Sequence, residues 1–104
     1  MESPLREIPK ELPSLTRAAK VLKKVDKLYE EGNDYEGSVK LLAEAAGKLA
    51  CLEKEEDEGE LKGIMGDILM NISNIARICK IPAEQILTDR IEDMIDKWET
   101  AEKP

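Results

Sequence analysis

The sequence predicts an all-α protein. Apolar residues recur at three- and four-residue steps along four segments, and no segment alternates apolar with polar residues as a half-buried strand would. The good helix formers Ala, Leu, Lys and Glu dominate the composition, and Ile falls at helical spacing. The expected organisation is an extended, proline-containing lead-in over residues 1–13 followed by a single four-helix domain over 14–101.

Each element has its own warrant. Pro4, Pro9 and Pro13 favour an extended lead-in, because proline lacks a backbone donor and restricts the residue before it. Ser14 reads as the N-cap of a first helix over roughly Leu15 to Glu31, with the stripe Leu15, Ala18, Ala19, Leu22, Val25, Leu28 and Tyr29. Gly32, Asn33 and Asp34 supply a stop and a turn. A second helix, roughly Tyr35 to Lys54, carries one stripe through Val39, Leu42, Ala46 and Leu49 and another through Leu41, Ala45 and Leu52, broken by Lys48. A helix apolar on two sides packs between partners.

The acidic run EKEEDEGE, Glu53 to Glu60, repels itself and reads as a solvated connection, with Gly59 helping to end the helix. A third helix starts near Glu60 and ends near Cys79. Pro82 suits the first position of a fourth helix, Glu84 its first turn, and Leu87, Ile91, Met94, Ile95 and Trp98 form its stripe.

At 104 residues the chain buries a modest core, and an oligomer interface is expected to complete it. Apolar residues make up 41% and charged residues 38%, a mixture that suits a folded, heavily solvated helical protein. A net charge of −7 and a pI near 4.7 argue against general binding of DNA or anionic membranes. There is no histidine, which excludes His-dependent catalysis and His-ligated metals; a metal site would rest on carboxylates and suit magnesium or manganese. Cys51 and Cys79 lack metal-ligand spacing and read as reduced core residues. No apolar run reaches transmembrane length and MESPLREIPK has no signal-peptide core, so the expected location is cytoplasmic. Abundant Glu and Lys beside scarce Gln and Asn lean towards a thermophile.

Two rows of polar residues carry the functional reading. Arg17, Lys20, Lys24 and Lys27 line up on the first helix and either grip phosphates or form a solvated face. Asp67, Asn71 and Asn74 recur on one face of the third helix, framed by Ile64 and Ile78, as a lined cavity or an interhelix polar seam would require.

GDILMNISNIARICKIPAEQIL resembles the second half of the MazG family of all-α nucleoside triphosphate pyrophosphohydrolases. IPKELPSLTRAAKV and YEGSVKLLAEAAGKL resemble that family's V-P-K-x-L-P-A-L-x-R-A-x-K and E-G-V-x-x-K-[LV]-x-E-E-x-x-E-L segments, so the likeness runs from about Ile8 to Trp98 in one order. It implies a helical domain that completes its bundle as a dimer or higher homo-oligomer. It also implies magnesium held by E-E-x-x-E on one helix and E-x-x-D on the next.

At the matched positions this chain has Glu44, Ala45 and Lys48, then Ile64 and Asp67. Three of the four principal metal-holding acids are therefore replaced, leaving Asp67 as a remnant ligand with Glu44 on a neighbouring face. The family's later N-x-K-F-x-x-R-F is also lost, with Ile91, Asp93, Met94, Asp96, Lys97 and Trp98 in that region. Pyrophosphohydrolysis needs metal to neutralise the polyphosphate and activate water. The expectation is accordingly a catalytically degenerate MazG-related module for nucleotide sensing, assembly or partner binding, with no cofactor. In it Lys48 serves as counter-ion to Asp67 while Ala45 and Ile64 fill the vacated volume. Two alternatives stand beside it. One is an active magnesium-dependent hydrolase taking nucleoside triphosphate to monophosphate and pyrophosphate, with Asp67 and Glu44 on the metal, Asn71 and Asn74 near the nucleotide, and Arg17 or Lys20 on phosphate. The other is a helical interaction protein without nucleotide affinity.

Overall fold

Carboxylate oxygens satisfy N–H groups at the starts of three of the described helices. In the computed structural model, which describes residues 3–53 and 57–102, the helices are α1 (Ser14–Tyr29), α2 (Tyr35–Cys51), α3 (Glu58–Ile78) and α4 (Ala83–Glu102), and no strand occurs among the described residues. Asp34 caps α2, its carboxylate accepting from the Gly37 N–H at 2.8 Å, and Asp57 caps α3 by accepting from Glu60 at 2.9 Å. Such caps contribute about 1 kcal/mol each. The start of α1 is different. Pro13 occupies the cap position with no side-chain bond, and the Leu15 N–H is satisfied across the chain by Glu84 Oε1 at 2.9 Å. One carboxylate thereby joins the first turns of α1 and α4.

Several expected details shift. Ser14 is the first residue of α1, not its cap. That helix stops at Glu30, which takes the left-handed conformation at φ 54°, so the stop precedes Gly32. The apolar stripe has run out at Leu28 and Tyr29, leaving no packing to hold a further turn. Gly59 lies in the first turn of α3 rather than ending α2, and Pro82 precedes α4, its carbonyl accepting from Gln85 and Ile86. Of the acidic connection, residues 54–56 lie outside the described part. The lead-in is not simply extended: Pro4–Glu7 forms a 3-10 turn capped by Ser3, and Ile8 behind it is buried. Lys24 of α1 holds this turn through the Pro4 carbonyl at 3.2 Å and the Glu7 carboxylate at 3.4 Å. Cys51 and Cys79 are exposed free thiols, because each sits at the end of a helix where its face has left the interior.

α3 is the middle helix, with α2 on one side and α1 on the other; α4 meets α1 and α3 at its start. The buried apolar set is Ile8, Ala45, Ile64, Ala76 and Ala83, so the interior is thin and made largely of alanines. From Gln85 to Ala101 every residue of α4 is exposed. The radius of gyration is 16.7 Å and the extents are 60 × 32 × 28 Å, against about 13 Å expected for a compact domain of this length.

Candidate functional site

The α2/α3 pair is locked at one end and open at the other. At the locked end Asn74 is buried on α3. Its amide nitrogen donates to Ser38 Oγ at 2.8 Å and to the Asn33 carbonyl at 3.3 Å. Its oxygen accepts from Arg77 Nε at 2.9 Å, and Ser38 is fully buried. A buried amide is costly unless its partners are fixed, and here they are. Asn74, expected near a nucleotide, spends both N–H groups inside the protein.

At the open end a cavity of about 290 Å³ separates the helices. Its walls are Leu41, Glu44, Ala45 and Lys48 of α2 and Ile64, Asp67 and Asn71 of α3. The third- and fourth-residue spacing on two facing helices thus brings together all five positions matched to the metal-holding motifs. Ala45 and Ile64 are buried and form its apolar back wall, while Glu44, Lys48 and Asp67 are exposed at its edge. Asn71 turns its amide nitrogen back to the Asp67 carbonyl at 2.9 Å, which leaves its side-chain oxygen as the group available to the cavity.

Lys48 and Asp67 share this cavity, but no ion pair within 4.0 Å joins them among the described residues; the direct counter-ion contact expected from the sequence is not formed. The donor set does not suit a resident magnesium. It offers two carboxylates and an amide oxygen, Lys48 adds a like charge beside them, and Ala45 and Ile64 bring no oxygen. Nor do three or more His, Cys, Asp or Glu side chains cluster for a metal elsewhere among the described residues.

The remaining expected site residues lie elsewhere. Arg17 borders a separate cleft with Ser14, Ala18, Val21 and Met70, and Lys20 is exposed on α1. α1 docks on the other side of α3 from α2, so this row does not face Asp67. A larger cavity of about 470 Å³ opens beside the locked end instead, with Lys23, Arg77 and Lys80 contributing positive charge and Asp26 and Asp34 negative charge. Little in the sequence pattern points to it. Arg77 follows Asn74 by one helical turn, which is a usable signal, but Lys23 and Lys80 reach it only through the fold.

Compared with protein-family models, with curated proteins and with solved structures, the chain matches none.

Proposed function

We propose that the chain is a MazG-related helical domain whose pyrophosphohydrolase centre has lost its metal set and which works, as a homo-oligomer, in nucleotide sensing, assembly or partner binding. The observation that supports this is the convergence of Glu44, Ala45, Lys48, Ile64 and Asp67 on one cavity. Those positions match the family's two metal-holding motifs, one on each helix, and they line the same cleft. The residues found there argue against turnover. A triphosphate entering the cleft meets one ammonium beside two carboxylates, and three of the four principal acids of the metal motifs are replaced, which leaves a metal few protein ligands with which to neutralise the phosphates and activate water.

The exposed apolar side chains of α3 and α4 favour the assembly arm of the reading over a purely soluble sensor.

The test is pyrophosphate release from standard and modified nucleoside triphosphates with magnesium or manganese, run beside calorimetric titration of the same nucleotides. The expected result is no release. Turnover lost in Asp67→Ala would overturn the degenerate reading in favour of an active hydrolase. Binding without turnover, weakened by Asp67→Ala or Lys48→Ala, is the result expected of a sensor. Absence of binding leaves assembly or partner binding as the function.

A further inference from the structure

The surface of the protomer is too large for its mass. A folded 11.7 kDa chain exposes about 5,900 Å², whereas this one exposes 8405 Å². The surplus of about 2,500 Å² per copy, about 5,000 Å² for a pair, lies at the upper end of large obligate dimer interfaces.

Two apolar features stand out on that surface. The first is α4, a helix about 30 Å long, whose Leu87, Ile91, Met94 and Trp98 recur along one face at 49, 50, 60 and 60% exposure. Among the described residues, no other element covers them beyond the first turn. The second is a groove of about 260 Å³ between α1 and α3. Leu15, Leu69 and Met70 form its apolar sides, and Gly66 and Ala18 its small-residue floor. A methyl group added at Gly66 would meet nothing within 4 Å, so the depth of the groove is not filled from within the chain.

Charge distinguishes between possible occupants. α1, beside the groove, carries five basic side chains and one acid; Lys24 is held by Glu7, and Lys23 and Asp26 line the cavity at the locked end, which leaves Arg17, Lys20 and Lys27. Residues 83–101 of α4 carry six acids and two bases. Pairing α4 with another α4 would set acid against acid, whereas placing α4 beside α1 sets opposite charges together.

We infer that two copies of this chain exchange their α4 arms, each arm lying in the α1/α3 groove of the other. The arrangement is isologous, so arm-to-groove contact occurs twice and the assembly closes at two copies. It buries the α4 stripe and the Leu69/Met70 face together and completes the thin interior with side chains from the partner. The inference rests on the homo-oligomer in the reading above and not on its nucleotide chemistry.

Trp98, the single tryptophan, is a built-in reporter. The experiment uses the full chain in light scattering coupled to size exclusion and in tryptophan emission, over a dilution series. The wild type is expected at twice 11.7 kDa with blue-shifted emission that reddens on dilution. Leu69→Glu on α3 is expected to weaken the dimer at least ~100-fold and to redden Trp98, and Met94→Glu on α4 should do the same. An equimolar mixture of the two variants is expected to recover dimer, because one retains an intact arm and the other an intact groove. Circular dichroism checks that each variant keeps its helices. If either variant unfolds alone, recovery of helix and of two-copy mass on mixing remains the readout.

A wild type of single-copy mass at every concentration would overturn both the homo-oligomer and the arm exchange. A stable dimer whose mass and Trp98 emission ignore Leu69→Glu would overturn the arm exchange and leave the homo-oligomer standing. Two monomeric variants that fail to recover on mixing would overturn the arm exchange.

Discussion

Replacing Asn74 with alanine removes three interactions at once. The bond to buried Ser38 Oγ at 2.8 Å contributes about 1 kcal/mol, the longer one to the Asn33 carbonyl about 0.5 kcal/mol, and the Arg77 contact about 1 kcal/mol because a half-buried guanidinium can turn partly to water. The expected loss is therefore about 2–3 kcal/mol. For a chain of this size that lowers Tm by roughly 10–20 °C. Urea unfolding followed by circular dichroism at a fixed protomer concentration measures it, the fixed concentration being needed because self-association adds to apparent stability. A double-mutant cycle with Ser38→Ala should return a coupling of about 1 kcal/mol, since the two side chains satisfy each other. A loss below about 0.5 kcal/mol for Asn74→Ala, with no coupling to Ser38, would refute the view that this amide bolts the α1–α2 turn to α3. It would also return Asn74 to the pool of groups free to meet a ligand.

Lys80→Gly and Glu30→Gly should each stabilise the protein by about 0.5–1 kcal/mol in the same assay, because both residues hold left-handed backbone, at φ 60° and 54°, that glycine adopts without cost. Gly47→Ala and Gly63→Ala should each add a similar amount, since both lie inside helices and a methyl group there meets nothing within 4 Å. Asp34→Ala should cost about 1 kcal/mol by leaving the Gly37 N–H uncapped, seen as a lower urea midpoint.

The four helices were legible because each carries an apolar stripe at helical spacing, and the spacing survives whatever the stripe packs against. Their ends were less so. The stop of α1 was expected at Gly32, the residue with the strongest local preference, but Glu30 takes the left-handed turn where packing ends. Cys51 and Cys79 looked like core from composition, yet their place at helix ends exposes them. The Asp67 cavity was readable because its members recur at three- and four-residue steps on adjacent helices. The role of Asn74 was not, because its partner Ser38 lies 36 positions away and no local pattern links them. Arg17 and Lys20 lie away from the Asp67 cavity for a related reason: which side of α3 receives α1 is decided by packing, not by the basic row itself.

The central place of α3 has a consequence for how the two faces of this protein communicate. Asp67 looks towards α2, while Leu69 and Met70, two and three positions on, look towards α1. α1 and α2 make no packing contact of their own among the described helices. One helix therefore lines both clefts, and a ligand that rotated it about its axis would move both at once. If copies exchange arms as inferred above, occupancy of the polar cavity and affinity between copies would then be linked, each shifting the other by the same factor.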